Sequence, residues 1–144
     1  MSATAQATST EAAPRPAVKG GLVAYLQVDG AAKAAAFYEK AFGAETVFGY
    51  PPDEKGRTMH IHLYVNGTSL MLSDAFPEHG HPLEQPQGFT MQLMVDDIDA
   101  WWKRATGAGC EVVVPLGVMF WGDRWGLLKD PFGVNWGMNA PVNA

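Results

Sequence analysis

A chain of 144 residues is long enough to form one domain with its own core, and 47% hydrophobic with 17% charged residues is typical of a globular protein. A formal charge of −5 and ten scattered Lys and Arg argue against nucleic acid, which requires a clustered basic surface. No stretch approaches the ~20 apolar residues of a membrane span. Cys110 is the only cysteine, which indicates a reducing compartment and an inert, structural thiol. We therefore expect a cytoplasmic protein with neither a nucleic-acid nor a membrane partner.

The first twenty residues are rich in Ala, Thr and Ser and lack the continuous apolar stretch of a signal peptide. Their composition favours a disordered tail over residues 1–20. A single domain is then predicted over residues 21–144.

The domain contains an internal repeat with a period of about 66 residues. The segment at 25–29 (YLQVD) is repeated at 92–96 (QLMVD), Gly43-Ala44-Glu45 at Gly109-Cys110-Glu111, and the Asn66-Gly67 turn at Phe132-Gly133. The three matches keep one order and nearly one spacing. They indicate two modules, at 21–76 and 88–140.

The first module begins with an alternating strand at 22–28, after which Asp29 offers an N-cap to a helix. Apolar residues at helical spacing predict that helix near 30–42, and Gly43 suits its αL end. Asn66-Gly67 is a strong signal for a two-residue hairpin. Strands are predicted near 45–50, 58–65 and 68–74.

The second module has the same order of elements. A strand at 89–95 precedes Asp96 or Asp97 as the N-cap of a helix near 97–107. Three strands follow near 111–114, 124–129 and 134–139, and loops are predicted at 51–57, 76–88 and 115–123. The fold class is therefore α+β, with two tandem βαβββ modules.

Strand alternation separates a core face from a mixed face. In the strand at 58–65, Ile61 and Leu63 point one way, while His60, His62 and Tyr64 point the other. Extended to the other strands, the pattern predicts a ligand pocket, with a solvated face or a dimer interface as alternatives. Its predicted lining is Tyr25, His60, His62, Met71, Thr90, Gln92 and Asn135.

Four segments make the chain resemble the vicinal oxygen chelate superfamily of glyoxalase I, extradiol dioxygenases and bleomycin-resistance proteins, and in particular its PhnB-like branch. They are 35–38 (AAFY) through 42–44 (FGA), 70–75 (LMLSDA), 120–126 (FWGDRWG) and 130–133 (DPFG). The resemblance implies a curved mixed sheet that forms an open cup. Together with the glycine-flanked loop at 117–126, it also implies that Trp121 and Arg124 close the mouth of the pocket.

The resemblance also implies where a metal would bind, because metal-dependent members carry a ligand on the first and last strand of each module. Those positions fall on Val23, Met71, Thr90 and Gly137. None suits a hard or borderline divalent ion, so we expect no metal at the usual site and no cofactor. An unconventional metal site at His60, His62 and Asp74 is an alternative. His79 and His81 are interpreted as surface residues of a loop.

Three hypotheses for function follow. The first is metal-independent binding of a small organic ligand in the cup. The second is an enzyme of lyase, isomerase or dioxygenase type, with His60 or His62 as base or metal ligand and Tyr64 or Gln92 positioning an oxyanion. The third is that the mixed face is mainly a dimer interface.

A homodimer is expected because two modules leave sheet edges to be covered. Arg124 either binds an anionic or planar ligand or forms an ion pair with Asp123 that fixes the loop.

Overall fold

The computed structural model describes residues 15–142 and confirms the α+β fold with two βαβββ modules. The first module comprises β1 (Ala24–Val28), α1 (Ala31–Phe42), β2 (Glu45–Gly49), β3 (Ile61–Val65) and β4 (Thr68–Asp74). A short 3-10 helix, Pro77–His79, lies in the connection. The second module comprises β5 (Met91–Met94), α2 (Ile98–Ala108), β6 (Glu111–Val118), β7 (Asp123–Lys129) and β8 (Asn135–Pro141).

The strands form two four-stranded mixed sheets, in the orders β1-β4-β3-β2 and β5-β8-β7-β6. In each sheet the first strand runs parallel to the last, and the other pairs are antiparallel. Over residues 15–142 no strand ladder joins the two sheets. The cup expected from one curved sheet therefore takes the form of two separate open faces.

Four predicted strand boundaries were wrong. Leu22 is 95% exposed and Phe89 is 44% exposed, because β1 and β5 begin two residues later than the alternation indicated. Strand β3 begins at Ile61 instead of residue 58, which leaves Met59 exposed. Strand β6 continues through Pro115 into the predicted loop. A proline is tolerated there because β6 is an edge strand with irregular register.

The core is one apolar cluster shared by both modules. Helices α1 and α2 pack against each other, and the Phe42 ring lies 4.2 Å from that of Trp136 on β8. Buried Asp130 ties the modules together, because its Oδ2 accepts hydrogen bonds from Tyr38 Oη (2.6 Å) and Trp136 Nε1 (2.9 Å). Ile61 and Leu63, which alternation placed on the core face, are buried, and so are Leu70 and Leu72 on the neighbouring strand β4.

The two helices are capped in different ways. Asp97 caps α2 locally, by accepting from the Ala100 amide at 3.3 Å. Asp29 does not cap α1, because Gly30 takes a left-handed conformation at that end. The cap is supplied by buried Asp74 at the end of β4, whose Oδ1 accepts from the amides of Gly30 (2.7 Å) and Ala31 (3.0 Å).

Residues 15–20, predicted to belong to a disordered tail, lie against the first sheet; the rest of that tail, residues 1–14, is outside the described range. The Lys19 backbone donates to Ser69 Oγ (2.8 Å) and accepts from the Ser69 amide (2.9 Å). The Ala17 carbonyl accepts from Tyr64 Oη at 2.6 Å. Composition indicated disorder here because it does not reveal these long-range hydrogen bonds. Across the described range, neither helix has the length and apolar character needed to cross a bilayer.

Candidate functional site

The face of the first sheet that points away from α1 carries the first group of predicted ligand residues. The strand register places Tyr25 on β1 and His62 on β3 on either side of Met71 on β4. Phe48 on β2 continues this row beyond His62. We call this surface the first open face. It is an aromatic and imidazole surface with one thioether at its centre.

Two histidines on this face have different surroundings. His60 is partly exposed, and its Nδ1 lies 2.9 Å from Tyr25 Oη. His62 is buried beneath the N-terminal segment, and its Nε2 lies 2.7 Å from Ser69 Oγ. Desolvation lowers the pKa of both, and neighbouring His62 and Arg15 lower the pKa of His60 further. Both imidazoles are therefore neutral at pH 7.

The corresponding face of the second sheet carries the second group. The Trp125 Nε1 on β7 donates to Gln92 Oε1 on β5 at 3.2 Å, and the Trp121 Nε1 donates to Asn139 Oδ1 on β8 at 3.3 Å. The two indole rings meet edge to face, with centroids 5.8 Å apart. Asp123 completes the network by accepting from Asn139 Nδ2 at 3.0 Å. We call this surface the second open face.

Gly137 permits this arrangement because it has no side chain. A Cβ there would collide with Gln92 Oε1 and lie 2.9 Å from Trp125 Nε1. Two strand positions away, the Oδ1 of Asn135 is buried and accepts no hydrogen bond from residues 15–142. Thr90 is exposed and precedes β5. An unpaired buried acceptor is rare in a folded protein, and because this oxygen is shielded from solvent it is not exposed to a ligand on the open face.

The structure thus divides the predicted pocket into two groups. Tyr25, His60, His62 and Met71 lie on the first open face, and Gln92 and Asn135 lie on the second, with Trp121 beside it. Within the described chain, no hydrogen bond or ring contact joins one group to the other. Sequence alternation identified the faces but did not show that they belong to separate sheets.

Arg124 is directed away from the second open face. It makes a two-pronged ion pair with Asp99 on α2, at 2.9 and 2.8 Å, which lowers the pKa of that carboxyl group. It does not pair with Asp123, and the groove of about 330 Å³ that it borders, with Asp96, Asp97 and Asp99 at the start of α2, contains none of the other predicted pocket residues. Sequence spacing favoured the adjacent Asp123, but side chains of adjacent residues in a strand point to opposite faces.

The residues at the usual metal positions do not fit a metal ion. Val23 and Gly137 have no donor side chain, Met71 offers a soft thioether and Thr90 a hydroxyl group. No cluster of three His, Cys, Asp or Glu capable of holding a metal occurs in the described range. Asp74 does not form a site with His60 and His62 either, because its carboxylate accepts hydrogen bonds from the backbone amides of Gly30, Ala31 and Thr58.

Sequence reasoning missed a groove of about 680 Å³ between the end of β1 and the β7–β8 turn. It is bordered by Gln27, Asp29, Glu84, Lys129 and Asp130 and contains none of the predicted ligand residues. A neighbouring groove of about 290 Å³ reaches Tyr25 and Phe89. We place the candidate site on the open faces, because the aromatic and imidazole side chains converge there.

Residues 21–138 match the Glyoxalase/Bleomycin resistance protein/Dioxygenase superfamily, and the chain belongs to that superfamily. It is 40% identical over 131 residues to the uncharacterized protein Rv0887c of Mycobacterium tuberculosis, covering 87% of this chain and 76% of the relative. The uncharacterized protein Mb0911c of Mycobacterium bovis is also 40% identical, and 86% of it is covered.

Solved structures agree with this assignment. Protein PA1353 from Pseudomonas aeruginosa is 33% identical with a TM-score of 0.67, over 83% of this chain and 96% of that protein. A PhnB protein from Bacillus cereus, 22% identical over 84% of this chain and 99% of its own, has a TM-score of 0.67 and shares the fold. A mutant of the fosfomycin resistance protein FosX from Listeria monocytogenes, solved with Mn(II), is 17% identical. The match covers 85% of this chain and 93% of FosX, with a TM-score of 0.63, and shows a shared fold.

Proposed function

We propose that this protein binds a small, planar organic molecule on its open faces without a metal ion. The observation that carries the proposal is the pair Trp121 and Trp125. Both indole N–H groups are engaged by side-chain amides, which holds the rings in place and leaves their aromatic surface for a ligand.

Metal independence is part of the proposal and is supported by the unsuitable side chains at the four usual positions. Protein purified without chelator should contain well below one equivalent of Zn, Ni, Mn or Fe. EDTA should leave ligand binding unchanged. One stoichiometric metal ion would contradict this part, and the metal contacts would then be sought first at His60 and His62.

Ligand binding is tested by titrating the intrinsic fluorescence of the five Trp against a panel of metabolites and antibiotics. A ligand stacked on the second open face should quench the Trp fluorescence of the wild type saturably, and should quench that of Trp125→Phe much less. Trp101→Phe is the matched control, because Trp101 lies on α2 and stacks with Arg104. No saturable quenching by any compound, or equal quenching in Trp125→Phe, would overturn the proposal.

The Tyr25–His60 pair supports a second candidate, an enzyme with His60 as general base. If the Nδ1–H donates to Tyr25 Oη, the neutral ring keeps its Nε2 as a proton acceptor. Turnover of a compound that binds, abolished in His60→Gln while binding persists, would establish this activity. Saturable binding without turnover would favour the binding protein.

A further inference from the structure

We infer that the N-terminal segment adds Arg15 to the first open face as a binding site for a planar organic anion, such as a carboxylate, sulfonate or phosphonate. This inference goes beyond the proposed function, because it assigns an anion site to the face that does not carry the Trp121–Trp125 pair.

Arg15 is held on the first open face by aromatic contacts. Its guanidinium carbon lies 4.7 Å from the ring centre of Phe48 and 5.7 Å from that of Tyr50, and it donates to Tyr50 Oη at 2.8 Å. Pro16 biases Arg15 towards an extended backbone, and the bonds of Ala17 and Lys19 fix the segment beyond it. The guanidinium is therefore positioned before any ligand arrives.

The charge of Arg15 is not neutralised by an ion pair within residues 15–142. Ion pairs in that range join Arg57 to Asp53 and Glu78, and Arg124 to Asp99. Two acidic residues lie nearby without an ion pair to Arg15: Glu45 is opposite Tyr64 near the other end of β2, and Glu84 borders the groove that Tyr25 lines. In a chain of net charge −5, an arginine that is supported by aromatic rings and has no carboxylate partner among residues 15–142 is suited to an external anion.

The surroundings of Arg15 complete the site. The His60 ring centre lies 6.1 Å from that of Phe48 and 6.5 Å from that of Tyr50. Tyr25 lies beyond His60, at a ring distance of 5.6 Å. A cation, a hydroxyl group and an imidazole thus border one aromatic surface. An aromatic ligand would stack on this surface while its anionic group accepts from Arg15.

The test compares two fluorescent probes with the same rings. 8-Anilinonaphthalene-1-sulfonate carries a sulfonate group, and N-phenyl-1-naphthylamine is its neutral counterpart. Arg15→Gln should lower the affinity for the sulfonate probe about tenfold, as for loss of one charged hydrogen bond, and leave the affinity for the neutral probe unchanged. Arg15→Lys should retain part of the affinity. Lys33→Gln removes an equal charge from the exposed side of α1 and should change the affinity for neither probe. In the wild type, the sulfonate should also shift the NMR signal of the His60 ring.

Each other outcome has a definite meaning. If the neutral probe binds and Arg15→Gln affects neither probe, or both equally, the anion site is overturned and the proposed function stands. Tighter sulfonate binding in Arg15→Gln would overturn the inference and show that the segment obstructs the face. Failure of both probes to bind the wild type would overturn the inference, whereas the proposed function is decided separately by the titration of Trp fluorescence and the Trp125→Phe variant.

Discussion

At the scale of single residues, the titration of His60 depends on the N-terminal segment. Desolvation, His62 and Arg15 lower its pKa below the ordinary 6.5. An unfolded chain then binds more protons than the native one as pH falls below about 6.5, so native stability decreases from there down through the lowered pKa. NMR titration of the His60 ring should give a pKa below 6.5, and Arg15→Gln should raise it. An unchanged pKa in Arg15→Gln would contradict the placement of Arg15.

Cys110 should be unreactive in the native protein. It is buried, and burial together with the charge of Asp130 raises its pKa to about 12. Because the thiolate is the reacting species, Ellman's reagent at pH 8 should label the native protein very slowly. After denaturation it should label one thiol per chain, since Cys110 is the only cysteine. Fast labelling before unfolding would show that the residue is accessible.

At the scale of elements, the two helix caps should differ in strength. Asp74 joins α1, β4 and the Thr58 amide, whereas Asp97 makes one local bond of 3.3 Å. Asp74→Ala leaves buried amides without an acceptor and should lower the free energy of unfolding by about 2–4 kcal/mol. Asp97→Ala should cost about 1 kcal/mol. Urea denaturation of both variants measures the difference, and equal losses would contradict the long-range cap.

Sequence periodicity predicted the elements closely but could not predict their long-range partners. Helices predicted near 30–42 and 97–107 are found at Ala31–Phe42 and Ile98–Ala108. Alternation also placed Leu63 in the core and His62 on the opposite face. It did not reveal that Asp74 caps α1 or that Arg124 pairs with Asp99. Periodicity fixes the direction of a side chain relative to its own strand, whereas partners depend on how distant elements pack.

At the scale of the whole molecule, one buried carboxylate should hold the modules together. Asp130 accepts from Tyr38 in the first module and from Trp136 and two backbone amides in its own. In Asp130→Asn one oxygen becomes an N–H₂ group, which would face either the Tyr38 and Trp136 donors or the two backbone amides, and the free energy of unfolding should fall by about 3 kcal/mol. Tyr38→Phe should cost about 1 kcal/mol. Tyr50→Phe at an exposed position is the control for both. A loss below ~0.5 kcal/mol in Asp130→Asn would show that the network does not stabilise the fold.

The last prediction is that the protein is a homodimer, with β6 and the turn after it at the interface. This region carries several exposed apolar side chains, including Val118 at 67% and Phe120 at 98%, and β6 is the outer strand of its sheet. An unpaired edge beside apolar side chains is a surface that a second copy would cover. Light scattering at micromolar concentration should give twice the mass of one chain.

The double variant Val118→Ser/Phe120→Ser should shift the mass towards that of the monomer, because it removes the apolar area that association would bury. Leu83→Ser is the matched control, since Leu83 is 50% exposed but lies in the loop before β5. A monomeric wild type would contradict the homodimer itself. A dimer that persists in the double variant would place the interface elsewhere, and the open faces, where Met94 is 62% exposed, would be the next surface to change.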